Sequence, residues 1–192
     1  INSGEVIVGN IGSSKRLKYG VVGRNVNLTA RIESFTVGFQ TLVSEQTVKL
    51  ISGTITVRDV YKVNPKGVAS PVHLFDIATI SGPFNAGLES EPVETQITVD
   101  NVAVGFEVME ESEFERTTLR GEILNMTVSG GLLKYPGNLK MFSNLKMKLS
   151  ANGMDAVLDT VYSKVIAIER DGEYRVAFTS HFIQIESFIE KC

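Results

Sequence analysis

The stretch Asn2 to Ser34, NSGEVIVGNIGSSKRLKYGVVGRNVNLTARIES, decides the reading of the first half of the chain. Glu5 to Ile11 is rich in β-branched residues and runs into the turn formers Gly12, Ser13 and Ser14, so it predicts a strand that stops there. A second short strand is expected over Tyr19 to Val22. From Asn25 the apolar positions Val26, Ala30 and Phe35, with Leu28 and Ile32 beside them, follow helical spacing. Asn25 or Asn27 can cap a helix of about two to three turns. Asn27 and Arg31 are four positions apart, so such a helix carries an amide and a guanidinium on one face.

Outward from this stretch, Thr41 to Val43 reads as a buried strand. Ser44 caps a helix through Ile51, with Glu45 favourably placed in its first turn and Gly53 stopping it. Strands follow over Thr54 to Val63 and Pro71 to Ile77. Residues 1 to 80 hold 9 Lys and Arg against 5 Asp and Glu, a net of +4, whereas residues 81 to 192 hold 10 against 17, a net of −7. Between them SGPFNAGLESEPVE, Ser81 to Glu94, has the composition of a linker, which divides the chain into 1–80, 81–94 and 95–192. The last part offers strands at Gln96 to Met109, Thr117 to Val128, Leu145 to Leu149, Val157 to Glu169 and Tyr174 to Thr179. Asn152-Gly153 and Asp171-Gly172 are hairpin turns by composition. HFIQIESFIEK, His181 to Lys191, has one apolar helical face. The expected fold class is therefore α+β, an α/β unit followed by a small antiparallel β-barrel with a C-terminal helix.

The 192 residues carry a formal charge of −3 and 43% hydrophobic residues, enough to bury a core and without the basic field that duplex nucleic acid requires. No apolar run reaches the roughly 18 residues of a membrane-spanning helix. One cysteine, Cys192, and two distant histidines, His73 and His181, leave any metal site to carboxylates and hence to a hard ion such as magnesium. A reducing cytoplasm fits this cysteine usage. No Gly-x-x-x-x-Gly-Lys-Ser/Thr loop and no nucleophile elbow occurs.

The Asn2 to Ser34 phrase resembles the second half of a class III nucleotide cyclase catalytic domain. The likeness continues more loosely through Val63-Asn64-Pro65-Lys66-Gly67 and Pro71-Val72-His73-Leu74-Phe75, covering roughly residues 1 to 80. The resemblance implies a ferredoxin-like α/β unit that converts ATP or GTP to the cyclic 3′,5′-monophosphate and pyrophosphate, with magnesium or manganese, in a homodimer. It implies that Asn27 orients the ribose and that Arg31 stabilises charge on the reacting phosphate, a task suited to a planar, permanently charged fork. It places Lys66 on the triphosphate and Gly20 where a side chain commonly contacts the purine. Gly20 has no side chain to offer, and Arg24 replaces the acidic or amide residue usual after the motif glycine, Gly23. The family's two metal-binding aspartates belong to strands that would precede Ile1, and Asp59 and Asp76 lie in the wrong segments to replace them. The chain therefore reads as a fragment of a bacterial signalling enzyme, inactive alone.

Asn125-Met126-Thr127-Val128-Ser129-Gly130-Gly131 resembles the Asp/Asn-x-Ser-x-x-Gly motif of PilZ domains, six-stranded barrels that in many bacterial proteins bind cyclic di-GMP. By that resemblance Asn125, Thr127 and Gly130 are candidate ligand residues. The family's paired arginines are absent from Ser81 to Asp100, and the Arg116 to Arg120 pair reads as a solvated strand face, so weak or no cyclic di-GMP binding is expected. The alternative reading is a non-catalytic dimerising or cyclic di-GMP-sensing protein with a degenerate cyclase half.

Overall fold

The computed structural model describes residues 1–88, 97–109, 117–151, 157–180 and 182–190. They form two compact units, Ile1–Glu91 and Pro92–Cys192.

In the first unit β1 (Ile7–Ser13) and β2 (Arg16–Val22) pair as an antiparallel hairpin from Ile7 opposite Val22 to Ser13 opposite Arg16. The turn falls at Ser14-Lys15, two residues beyond Gly12. Helix α1 (Arg24–Glu33) follows β2 after Gly23 alone. β3 (Leu42–Ser44) leads directly into α2 (Glu45–Val48), whose first turn is capped by the Ser44 hydroxyl accepting from the Thr47 amide at 3.4 Å. That helix stops short of Ile51, because after the Lys49 amide bonds the Glu45 carbonyl the Leu50 and Ile51 amides turn to the Thr47 and Val48 carbonyls, three residues back, at 3.0 and 3.2 Å instead of extending the ladder. The long strands β4 (Thr54–Val63) and β5 (Val72–Ser81) pair antiparallel, and β5 also carries β3 and the two-residue β6 (Ala86–Gly87).

Two features bear on the expected organisation. The described strands form two separate sheets, β1-β2 and the four-stranded group around β5, and no described strand pairs with either outer edge of the hairpin, so the ferredoxin-like character expected of this partial unit is not confirmed. The first unit also runs past Ile80: the Gly82 amide donates to Asn85 Oδ1 at 3.3 Å, and this turn returns β6 onto β5 inside the stretch read as linker.

The second unit is a closed antiparallel barrel in the order β10-β11-β12-β9-β8-β7, with β7 (Ile97–Val108), β8 (Leu119–Met126), β9 (Gly130–Lys134), β10 (Asn144–Ala151), β11 (Val157–Arg170) and β12 (Glu173–Phe178). Closure removes unpaired edges. Alternate residues Val102, Val104, Phe106, Leu145, Met147 and Leu149 point inward and are essentially fully buried. Ile185 and Phe188 of α3 (Phe182–Ile189) join the same core. Asp171-Gly172 makes the expected β11-β12 turn, with Gly172 at φ 76°. Asn152-Gly153 lies outside the described residues.

Strand β9, GGLLK, escaped the sequence reading because its two glycines look like turn material. Space explains them. A Cβ on Gly130 would collide with the Val176 carbonyl oxygen of β12, and one on Gly131 would sit 2.8 Å from the Asn125 carbonyl oxygen of β8. A charged row crosses four strands outside: Glu122 opposite Lys134, Lys134 opposite Glu173, and Arg170 bonded to Glu173 at 2.7 Å. The Arg170 hydrogen bond holds the Glu173 carboxyl below its ordinary range.

Gly130→Ala should therefore destabilise the barrel by about 1–3 kcal/mol in denaturant unfolding, the usual cost of overpacking. Gly105→Ala, whose new methyl would meet only Thr118 Cγ2 at 3.6 Å, should stay within about 0.5 kcal/mol of wild type.

Candidate functional site

Helix α1 begins without a side-chain cap and with no acidic residue in its first turn. Its N-cap is Gly23 at φ 151° and ψ 166°, a conformation that favours glycine, and the Asn27 amide closes the first turn onto the Gly23 carbonyl at 3.3 Å. Neither asparagine caps. Asn25 instead donates from Nδ2 to the Glu5 carbonyl at 3.0 Å.

Ile32, buried to 1% exposure, is the inward anchor of α1. Asn27 and Arg31 lie about a third of a turn around the helix from it, both exposed, one turn apart on one face. Among the described residues neither the Asn27 side-chain amide nor the Arg31 guanidinium has a hydrogen-bond or ion-pair partner. Two groups that could share one ligand are thus presented to solvent. A groove of about 510 Å³ follows the adjoining face of α1, lined by Asn2, Gly4, Val6, Asn25, Val26 and Ala30 among others.

Gly20 lies on β2 directly opposite Gly9, so this rung of the hairpin has no side chain on either strand. Lys66 is exposed in the Pro65 to Val68 turn joining β4 to β5, which the Val68 amide closes onto the Pro65 carbonyl at 3.1 Å. No bond among the described residues joins Lys66 to Asn27 or Arg31. Arg24 is exposed at the first position of α1.

Asp76 has another task. Buried to 4% exposure, it accepts from the Thr41 amide at 3.2 Å and from Arg58 Nη2 at 3.1 Å, while the same Arg58 nitrogen donates to the Phe39 carbonyl at 2.6 Å. This fixes the segment between α1 and β3. Nearby, Gln40 Nε2 donates to the Tyr61 hydroxyl at 3.2 Å, and burial followed by the charges of Asp59 and Asp76 pushes the Tyr61 hydroxyl up. Asp59 accepts from the Val60 amide at 2.7 Å. With Asp76 committed to a guanidinium, the Asp59 and Asp76 pair does not fit a divalent ion. Among the described residues no cluster of three His, Cys, Asp or Glu is placed to hold one. The Arg58-Asp76 clasp was not foreseen; its only signal was a lone acid in the apolar run HLFDI.

In the barrel, Thr127 Oγ1 accepts from the amides of Ser129 and Gly130, each at 3.2 Å, and the Thr127 amide donates to the Gly130 carbonyl at 2.8 Å. The hydroxyl is spent on its own turn. Asn125 is half-buried on β8, and its amide has no partner among the described residues. Arg120 is exposed on β8 opposite Gly105, while Arg116 lies outside the described residues. A shallow groove of about 470 Å³ between Lys134, Tyr135 and Glu173 carries no unpartnered buried group.

Residues 1–76 match the family model of the adenylate and guanylate cyclase catalytic domain. The motif and the match thus fall on one stretch of the first unit. Among solved structures, the guanylyl cyclase Cya2 is similar at 50% identity over 46% of this chain and 45% of its own, with a TM-score of 0.42. The PilZ domain of CeSA from a cellulose-synthesizing bacterium is similar at 14% identity over 50% of this chain and 92% of its own, with a TM-score of 0.36. The chain spans less than half the length of the cyclase structure that it matches. No curated protein matches it. No helix among the described residues is long and apolar enough to cross a membrane, which leaves open a membrane-spanning barrel of strands.

Proposed function

We propose that the first unit supplies the ribose- and phosphate-orienting half of a cyclase site acting on ATP or GTP. One observation carries this reading: within the family-matched stretch, the Asn27 and Arg31 side chains stand one turn apart on α1, exposed and without partners among the described residues. In the reaction, the ribose O3′ bonds to the α-phosphorus, the bond to the bridging oxygen of the β-phosphate breaks, and pyrophosphate leaves. Asn27 fixes the ribose by hydrogen bonding, so that O3′ is aimed before it reacts. Arg31 offsets the negative charge that grows on the α-phosphate. Lys66 serves as a mobile charge for the outer phosphates, and the Gly20-Gly9 rung leaves room beside the base. Magnesium or manganese, held by carboxylates other than Asp59 and Asp76, would supply charge neutralisation at the phosphates. The barrel is a regulatory module on a cytoplasmic signalling protein.

Arg31→Ala, in the intact protein carrying this sequence, should lower kcat by about a hundred- to a thousandfold with little change in KM, because the charge it meets develops mainly in the transition state. Steady-state kinetics with both nucleotides test this. A loss confined to KM would contradict the assigned role.

A second reading is favoured by the β1-β2 hairpin, which exposes Ile7 at 71%, Leu17 at 60% and Tyr19 at 72%. Here the first unit is a non-catalytic dimerising element, with a second copy covering the ribbon, and the barrel senses cyclic di-GMP. Light scattering at about tens of micromolar should then give a dimer. Calorimetry with cyclic di-GMP separates the readings. The turn-bound Thr127 hydroxyl predicts weak heat or none, and submicromolar affinity would favour the sensor.

A further inference from the structure

The first five residues tie α1 to the sheet. Ile1 donates from its nitrogen to the Leu42 carbonyl at 2.6 Å and accepts from the Ser44 amide at 3.0 Å, so the strap starts paired along β3. Ser3 Oγ accepts from Thr47 Oγ1 at 3.0 Å, adding α2. The strap then meets the first turn of α1 twice: Asn2 Nδ2 donates to the Asn25 carbonyl at 3.2 Å, and Asn25 Nδ2 donates back to the Glu5 carbonyl at 3.0 Å. Thr29 Oγ1 donates to the same Asn25 carbonyl at 2.8 Å, carrying the clamp up one helical turn. Asn25 lies against Gly4 so closely that a Cβ on Gly4 would overlap its amide.

We propose that Asn25 is a positioning residue: with Gly4 and Asn2 it sets the rotation of α1 about its axis, and so the aim of Asn27 and Arg31. This rests on the cyclase reading of those two residues. The physical case is one of leverage. A helix start with neither a side-chain cap nor an acid in its first turn has little local hold on its orientation. Gly23, the sole link from β2, gives the least stiffness of any residue. Asn27 and Arg31 lie two and six positions beyond Asn25, so any roll at the clamp moves both without breaking a bond of their own. Asn25 touches no substrate in this account, and its hydrogen bonds run only to backbone carbonyls and from Asn2 and Thr29.

Hydrogen exchange on the 192-residue chain and kinetics on the intact protein test this together. Asn25→Ala should speed exchange across Asn27 to Glu33 about tenfold relative to the β4-β5 amides. Asn25→Asp, isosteric but unable to donate, should behave the same way. In the intact protein with magnesium or manganese, Asn25→Ala should lower kcat about ten- to a hundredfold with KM nearly unchanged, the scale expected for a small misplacement of reacting groups. In an Arg31→Ala background it should lower kcat no further, because the residue being aimed is gone. Gly4→Ala is the independent variant and should reproduce both effects by pushing the Asn25 amide aside. Unchanged exchange in both Asn25→Ala and Gly4→Ala overturns the clamp. An equal fall in kcat with and without Arg31 overturns the positioning role, because that is the signature of lost folded protein. If the intact protein forms no cyclic nucleotide at all, the cyclase reading fails, and the exchange result still decides the clamp.

Discussion

Everything proposed for the first unit hangs from one residue, Gly23, which alone joins β2 to α1. Its φ of 151° turns a strand directly into a helix in a single step, a conformation a side chain would strain. The advantage is compactness, since the helix that carries Asn27 and Arg31 starts at the end of the hairpin with no loop to wander. The cost is that Gly23 cannot fix the helix it starts. Orientation has to come from the contacts the helix makes further on: from the burial of its own Ile32, from the Arg58-Asp76 clasp that fixes the segment after α1, and from the strap of residues 1 to 5.

The barrel obeys a different constraint, closeness of backbones. Gly130 and Gly131 let β9 approach both β12 and β8, and without that approach the sixth strand would not fit and the sheet would keep an open edge. The same two glycines end the Asn125 to Gly131 motif. A motif read for ligand chemistry therefore has a structural duty, and the Thr127 hydroxyl is consumed in it.

What could be read from sequence follows from how local the physics is. Strand and helix periods placed β4, β5, the long barrel strands and α3 within a few residues, because alternation and the 3.6 repeat are set by nearest neighbours. The i,i+4 spacing placed Asn27 and Arg31 on one face for the same reason. Long-range contacts stayed hidden. Asn25 looked like a cap, and only the fold brings Glu5 within 3.0 Å of its amide to make it a clamp. Asp76 could be read only as lying in the wrong segment for a metal ligand, and its partners, Arg58 and the Thr41 amide, are brought to it by the fold. β9 was lost because a glycine pair needed for close packing has the same composition as a turn.

The most direct test of the central claim is product analysis of the intact protein incubated with ATP or GTP and magnesium or manganese, by mass spectrometry with a coupled pyrophosphate assay. The account predicts cyclic 3′,5′-monophosphate and pyrophosphate in equal amounts. Nucleoside diphosphate with inorganic phosphate, or unchanged nucleotide, would contradict it.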